Sequence, residues 1–295
     1  MLTNPRAERV RRIARLSGRS AREKHRQYLA EGPQAVREAV RCAAGQVRDV
    51  YLTPGAAARH DDIATAAREA GVYLHEASED VLRAMSADAQ GVLAVMDMPT
   101  APPTLASLTE PSDDGGRARL VAVLAEVTDP GNAGTVIRAA DAAGADAVVL
   151  CLGSVELTNP KVVRASAGSL FHLPVVTGTD LAETVAVLRR AGLTVLAADG
   201  AGEWDLDDLL DRAALAGLPA DLAGAPGNLA ATALVAPDLG APTAWVFGHE
   251  ARGLSEADRA RCDAAVRVPI HGRAESLNLA TAATVFLYAS ARSQR

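Results

Sequence analysis

Three segments of the sequence place polar and charged side chains between an apolar run and a predicted helix. They are residues 129–134 with Arg138, residues 248–253, and residues 276–278. In open α/β sheets, ligands bind outside the carboxyl ends of the strands, where the loops of neighbouring strands meet. The repeated arrangement therefore predicts one composite site assembled from the three segments.

The first segment combines glycines with an arginine. Gly131 and Gly134 allow close approach of the backbone, and the helix that follows offers free N–H groups at its amino terminus. Arg138 stands one turn into that helix, where its side chain could point toward a ligand. A tight turn with a solvated arginine is the alternative interpretation. No GxGxxG follows a strand and no GKS or GKT occurs, so neither a dinucleotide fingerprint nor a P-loop is predicted.

The second segment supplies acid–base groups. Glu250 is placed to bind a hydroxyl group or to orient Arg138, and either His249 or a nearby arginine is a candidate general base. The alternative interpretation is a polar turn flanked by glycines.

The third segment supplies hydrogen-bond donors, Ser276 and Asn278, beside apolar residues. These apolar residues are Val268, Ile270, Leu277 and Leu279. An apolar slot with a few convergent polar groups suits an adenosine-like ligand. Alternatively, Ser276 is the N-cap of the last helix and Asn278 makes a further capping bond.

Composition argues against several classes of protein. Aromatic residues make up 3% of the 295 residues, so base stacking is not expected as the main mode of nucleic-acid binding. No apolar run reaches the roughly 18 residues of a membrane span, and the Arg-rich amino terminus lacks the apolar core of a signal peptide. Cys42, Cys151 and Cys262 are far apart, with no CxxC or Cys/His spacing. We therefore expect a reduced cytoplasmic protein with no metal and no membrane association.

The net charge of −6 hides an asymmetry between the two ends of the chain. Residues 1–48 hold twelve Lys and Arg against four Asp and Glu, whereas the remainder holds eighteen against thirty-two. A basic arm on an acidic body favours contact with a polyanion, and a solvated, partly disordered tail is the alternative.

Two α/β patterns follow one another along the chain, so the predicted fold class is α/β. Residues 1 to about 20 look like a flexible basic arm, and short strands alternating with helices up to residue 95 predict a small unit. From Leu120, apolar runs alternate with helices, as a parallel sheet buried on both faces requires. Residues 201–241 predict a surface insertion with one helix. The expected domains are 1–98 and 118–295, joined by a linker at 99–117 that is rich in Pro, Ser, Thr and Asp.

The three polar segments resemble the three motifs of the SpoU/TrmH-type RNA 2′-O-ribose methyltransferases of the SPOUT superfamily. The matching residues are Asn132 with Arg138, Gly-x-Glu-x-x-Gly at 248–253, and Ser276-Leu277-Asn278. Residues 160–168 also resemble a family segment, and the likeness covers about residues 118–292. Residues 24–97, with Tyr-Leu-x-Glu-Gly at 28–32, resemble more loosely the L30e-like substrate-binding domain found ahead of it.

The resemblance implies a carboxy-terminal trefoil knot that binds S-adenosylmethionine, although true knots are rare. It also implies a homodimer with sites formed across the interface. Arg138 would accept the proton of the RNA 2′-hydroxyl with help from the substrate phosphate, and could do so in the site of the other protomer. Four residues would position Arg138, ribose and phosphate: Asn132, Glu250, Ser276 and Asn278. Six would bind the cofactor: Leu196, Gly248, Val268, Ile270, Leu277 and Leu279. The sequence departs from the family at His249, where many members carry asparagine, and in the long acidic segment 201–241.

We therefore expect a cytoplasmic, homodimeric RNA 2′-O-ribose methyltransferase that acts on 23S ribosomal RNA, with transfer RNA as the alternative substrate. RNA duplexes are read mainly by shape, phosphate and 2′-hydroxyl contacts, so the basic arm predicts salt-sensitive binding. A second interpretation is an RNA-binding assembly module without catalysis. A third is a nucleotide-dependent oxidoreductase, against which the missing GxGxxG counts. The same chemistry could also serve antibiotic resistance.

Overall fold

The structure is a computed structural model of the chain and describes residues 1–110, 116–216 and 236–295. Its strands are β1 (Gln27–Glu31), β2 (Val47–Leu52), β3 (Tyr73–Glu76), β4 (Val92–Asp97), β5 (Leu120–Leu124), β6 (Ala147–Cys151), β7 (Val175–Thr179), β8 (Thr194–Ala198), β9 (Trp204–Asp205), β10 (Thr243–Phe247) and β11 (Ala264–Arg267). Its helices are α1 (Glu8–Ala14), α2 (Arg19–His25), α3 (Pro33–Cys42), α4 (Pro54–Arg59), α5 (Asp61–Glu69), α6 (Glu79–Met85), α7 (Pro130–Ala143), α8 (Pro160–Ala165), α9 (Leu181–Arg190), α10 (Leu206–Ala216), α11 (Glu256–Arg259) and α12 (Leu279–Ser293).

The chain forms two compact units that are not simple halves of the sequence. The first unit comprises Met1–Pro102, Pro130–Arg138 and Val155–Pro174. The second comprises Pro103–Asp129, Ala139–Ser154 and Val175–Arg295. Helix α7 therefore passes from one unit to the other between Arg138 and Ala139.

The first unit is built on a four-stranded sheet in the order β1-β4-β2-β3. Strand β4 is antiparallel to both β1 and β2, whereas β2 and β3 are parallel. Helix α3 begins with Pro33, a residue that suits the first turn because the missing N–H would have no partner there. It buries Ala35, Val36, Ala39 and Val40 in the core beside the sheet.

The prediction of a flexible basic arm over residues 1–20 is wrong. Val10, Ile13 and Leu16 recur every three residues and are all buried in one apolar core with Leu29 and Leu93. This spacing places them on one side of a helical segment, so burial of their side chains outweighs the entropy of a free arm. The arginines remain on the outer side of this ordered segment, at positions 6, 11, 12, 15 and 19.

The second unit is built on a parallel seven-stranded sheet in the order β7-β6-β5-β10-β8-β11-β9. Every residue of β5, β6 and β10 is buried, which explains their unbroken apolar sequences. Helix α12 packs on the sheet through Phe286, whose ring centroid lies 4.6 Å from that of Trp245. The Trp245 Nε1–H donates to Ser290 Oγ at 2.9 Å and satisfies the buried indole. The α/β class is thus confirmed.

Two further segments differ from their predicted structure. Helix α7 already begins at Pro130, so most of the predicted loop at 129–134 is the first helical turn. In the 201–241 segment, β9 joins the sheet beside β11, and Leu206 and Leu209 of α10 are buried. That part is integral to the unit and is not a surface insertion, while residues 217–235 lie outside the described residues. Of the helices in the described ranges, none has the length and apolar character needed to cross a bilayer.

Candidate active site

A cavity of about 330 Å³ opens in the second unit at the carboxyl ends of β8, β10 and β11. This is the sheet edge at which parallel α/β structures bind ligands. Its walls are formed by Ala198, Asp199, Gly200, Phe247, Gly248, His249, Glu250, Ala251, Gly253, Val268, Ile270, Glu275, Ser276, Leu277, Leu279, Ala282 and Phe286. Two of the three polar segments identified in the sequence therefore meet here.

A tight turn after β10 shapes one wall of the cavity. The backbones of His249 and Gly253 bond to each other in both directions, at 3.1 and 2.8 Å. Gly253 has φ +64°, and a Cβ on Gly248 would lie only 2.4 Å from the carbonyl carbon of Gly253. Glycine is therefore required at 248 by the closeness of the turn, and at 253 it is favoured by the left-handed backbone. The side chain of His249 completes the turn because its Nδ1 accepts the N–H of Ala251 at 3.0 Å.

Glu250 joins this turn to the one that follows β5. Its carboxylate accepts the backbone N–H of Asp129 at 2.9 Å and that of Thr128 at 3.3 Å. Arg252 of the same turn donates to Glu126, at 3.1 Å. The second polar segment is thus fixed to the start of the first, and Glu250 is a positioning group for that backbone.

The third segment leads into α12. Asn278 is the N-cap of this helix, and its Oδ1 accepts the N–H groups of Ala280 and Thr281 at 3.0 and 3.3 Å. The alternative in which Ser276 is the N-cap is therefore wrong. Ser276 instead lines the cavity, between Glu275 and Leu277. Capping by Asn278 fixes where the helix begins and hence where Ser276 stands.

The charge of the cavity is negative. Asp199, Glu250 and Glu275 contribute three carboxylates, and His249 is the remaining titratable group of the lining. Among its described lining residues there is no lysine or arginine. Such a site favours a ligand with positive charge and disfavours phosphate groups.

Five of the six residues expected to bind the cofactor line this cavity: Gly248, Val268, Ile270, Leu277 and Leu279. The sixth, Leu196, lies two residues before the end of β8 and is fully buried within the sheet. The end of β8 contributes Ala198, with Asp199 and Gly200 following it. Because these residues follow directly after an apolar strand, the sequence pattern could have predicted that they lie at the site.

Asn132 and Arg138 lie on α7, in the part of this helix that belongs to the first unit. Arg138 is exposed and shares one helical face with exposed Thr135. Gly134 permits a close approach, as expected, but to protein: a Cβ there would lie 2.6 Å from the carbonyl oxygen of Val162 and 2.6 Å from Ala165 Cβ. The glycine is thus explained by helix packing within this unit.

The parallel sheet and its cavity define an α/β protein with a cavity at the carboxyl edge of the sheet, where proteins of this class bind ligands. Residues 119–288 match the SpoU rRNA Methylase family and residues 7–94 match the MRM3-like substrate binding domain. The chain therefore belongs to the SpoU rRNA methylase family, which confirms the resemblance seen in the three motifs.

Individual relatives agree with this membership. The chain is 29% identical to the 23S rRNA (guanosine(2553)-2′-O)-methyltransferase RlmP of Bacillus subtilis, over 95% of each chain. It is 33% identical over 65% of its length to the 23S rRNA (uridine(2479)-2′-O)-methyltransferase of Streptomyces viridochromogenes, and this match spans 61% of that enzyme. Among solved structures, the SpoU methyltransferase AviRb of Streptomyces viridochromogenes in complex with AdoMet is 27% identical, with a TM-score of 0.74 over 97% of this chain and 98% of that one.

Proposed function

We propose that this chain is an S-adenosylmethionine-dependent RNA 2′-O-ribose methyltransferase that acts on 23S ribosomal RNA. The observation that carries the proposal is the cavity, with its apolar walls, three carboxylates and described lining free of Lys and Arg. The positive sulfonium of S-adenosylmethionine matches that charge, whereas the pyrophosphate of a nicotinamide dinucleotide would face carboxylates. The cavity therefore disfavours the oxidoreductase alternative. The 23S rRNA substrate is supported by the named activities of RlmP and the Streptomyces viridochromogenes enzyme.

The residues present fit this cofactor. Leu277, Leu279, Ala282 and Phe286 offer apolar contact to an adenine ring, and Asp199 or Glu275 can accept hydrogen bonds from ribose hydroxyls. When bound, S-adenosylmethionine supplies an electrophilic methyl group on a sulfonium. A structure related over nearly the whole chain binds the same cofactor.

The roles of the remaining residues follow the family motifs. Arg138 would take the proton of the 2′-hydroxyl as a neutral guanidine. Its guanidinium would first release a proton, with the substrate phosphate assisting, because arginine is a very poor base. Asn132 would orient Arg138, and Ser276 would hold the ribose or phosphate. Glu250 and Asn278 already position backbone in the structure, through Asp129 and the start of α12.

We also propose that the methyltransferase domain forms a trefoil knot and a homodimer. Strand β10 lies between β5 and β8, so a late strand enters among earlier ones, an arrangement that a threaded chain can adopt. Helix α12 exposes Val285 and Tyr288 at 39% and 49%, an apolar stripe suited to contact with a second copy. In that dimer, Arg138 would serve the cavity of the other protomer. Residues 1–98 would bind the RNA, residues 99–117 would link them to the domain at 118–295, and the enzyme would act in the cytoplasm.

The proposal is tested by incubating purified protein with methyl-labelled S-adenosylmethionine and 23S rRNA lacking modifications, beside tRNA. We expect alkali-resistant label in the rRNA, no label with Arg138→Ala, and unchanged label with Arg190→Ala, an exposed arginine at the end of α9. Cofactor binding by calorimetry should be retained in all three proteins. Label in tRNA alone would mean that the substrate is tRNA and not 23S rRNA. Binding to rRNA with neither cofactor binding nor transfer would favour the assembly module.

A further inference from the structure

A cluster of three metal-ligating side chains lies in the first unit, apart from the cavity. Glu38, Cys42 and His172 each offer one ligand atom, and these three atoms all lie within 4.8 Å of one another. The cysteines have no metal-binding spacing in the sequence, and Glu38 and His172 are 134 positions apart. The fold alone creates the group.

Helix α3 provides two of the ligands. Glu38 and Cys42 are four residues apart and therefore project from the same face of the helix, one turn above the other. Cys42 is exposed at the carboxyl end of α3, so an ion could reach its sulfur from solvent. Arg41 Nη1 is 3.8 Å from Glu38 Oε1, and the other carboxylate oxygen is the one that faces His172.

A tight turn brings the third ligand to this face. His172 follows a 3₁₀ turn at Ser169–Phe171, and its Nε2 lies 3.3 Å from Glu38 Oε2. Gly168, with φ +100°, makes the approach possible, because a Cβ there would lie 2.6 Å from Glu38 Cγ. Phe171 packs against the apolar core of this unit and anchors the turn.

The geometry points to a zinc-type transition-metal site formed by Glu38 Oε2, Cys42 Sγ and His172 Nε2. Around tetrahedral zinc, ligand atoms at the usual bond lengths are separated by about 3.3–3.7 Å. The distance from Glu38 Oε2 to His172 Nε2 already has this value, and the Cys42 sulfur lies within 4.8 Å of the ligand atoms of both residues. Thiolate, imidazole and carboxylate are the ligand types that zinc prefers, and water completes the fourth position. The ion would link α3 to the 3₁₀ turn within the first unit.

Cobalt(II) titration of the full-length, EDTA-treated protein tests this assignment directly. We expect one equivalent to bind with a sulfur-to-cobalt charge-transfer band in the near ultraviolet, and zinc to displace it. Cys42→Ser should abolish the band, and His172→Gln should weaken cobalt binding by at least about tenfold, because each removes a ligand. Cys42 and His172 both lie at the surface of the unit, so their replacement should not unfold it, and circular dichroism verifies that the variants are folded.

Two matched variants control for the residue types. Cys262→Ser removes a partly buried thiol elsewhere, and His25→Gln removes an exposed imidazole at the end of α2; both should leave the band and affinity unchanged. A band that survives Cys42→Ser, or cobalt binding without any sulfur band, would overturn the assignment. None of these readouts requires methyl transfer, so failure of the proposed enzymatic function would leave them interpretable.

Discussion

A carboxylate oxygen of Glu250 accepts the backbone N–H of Asp129 at a distance of 2.9 Å. The two residues belong to turns that follow different strands, β10 and β5, which are neighbours in the parallel sheet. The charge-assisted bond thus fixes the backbone at the start of the Asn132–Arg138 motif to the Gly-x-Glu-x-x-Gly turn. Glu250 thus positions, within the second unit, the backbone of Thr128 and Asp129 relative to its own turn.

Replacement of Glu250 by alanine should therefore cost both stability and activity. The N–H groups of Thr128 and Asp129 lose a charged acceptor, and we expect the free energy of unfolding to fall by about 1–3 kcal/mol. Glu250→Gln keeps one acceptor oxygen, so it should lose less stability and less activity than Glu250→Ala. Urea unfolding and methyl transfer measure the two effects. Glu256→Ala, an exposed glutamate on α11, is the control, and an equal loss there would contradict the positioning role.

His249 should tolerate asparagine and not leucine. Its Nδ1 accepts the Ala251 N–H at 3.0 Å and closes the turn that lines the cavity, and asparagine can offer an oxygen to the same N–H. Leucine offers no acceptor, so we expect His249→Leu to weaken binding of S-adenosylhomocysteine about tenfold, the equivalent of one hydrogen bond. Calorimetry on both variants makes the comparison. Similar affinities for the two would mean that the turn holds without this bond.

How much of the site the sequence could predict depends on whether a signal is local. The apolar run before residues 248–253 and the polar residues themselves carry strand and cavity lining in one segment, and the strand is found as β10. Ala282 and Phe286 were missed, although they lie three and seven residues after Leu279 on one face of α12. The sequence shows that these residues share a helical face, but packing of the helix on the sheet explains that spacing as well as a cavity does.

The features that the sequence did not predict depend on contacts between residues far apart in the chain. Gly134 was interpreted as a place where a ligand approaches, and its actual neighbours are Val162 and Ala165 of α8, which no spacing reveals. The same limit applies to Cys42 and His172, which become neighbours only through the fold. In the amino-terminal segment the charge pattern of the arginines masked the buried spacing of Val10, Ile13 and Leu16.

The three cysteines should differ sharply in reactivity. Burial raises the pKa of Cys151 to about 11 and that of Cys262 to about 12, so both thiols stay protonated near neutral pH, whereas Cys42 is exposed. Because the thiolate is the nucleophile, Ellman's reagent at about pH 8 should titrate one thiol rapidly in the native protein and all three after unfolding. Cys42→Ser should remove the rapid phase, and a rapid phase that remains would place the reactive thiol elsewhere. Saturating zinc should also suppress this phase if Cys42 binds the ion.

The ion pair between Arg22 and Glu156 should make stability depend on pH. Arg22 donates to both carboxylate oxygens, at 3.1 and 2.6 Å, and is almost fully buried. Burial of Glu156 raises the pKa of its carboxyl, but hydrogen bonds from Arg22 and Thr158 and the nearby arginine charges outweigh it and leave that pKa below its ordinary value of 4.5. A lowered pKa in the folded state means that the stabilisation is present above about pH 4.5 and is lost as the pH falls below it.

Arg22→Met should therefore lower the free energy of unfolding by about 2–3 kcal/mol at about pH 7, less than for a fully buried pair because Glu156 is partly exposed. Urea unfolding between about pH 7 and pH 3.5 should show the difference from wild type shrinking toward the acid end. It should not vanish, because Arg22 also donates to the carbonyls of Leu16 and Ser17, which lose their donor at every pH. Arg19→Met is the control, since Arg19 is exposed and lies 4.0 Å from Glu156. This substitution should change the free energy of unfolding little. A difference for Arg22→Met that stays constant with pH would mean that these carbonyl bonds, and not the carboxylate, carry the stabilisation.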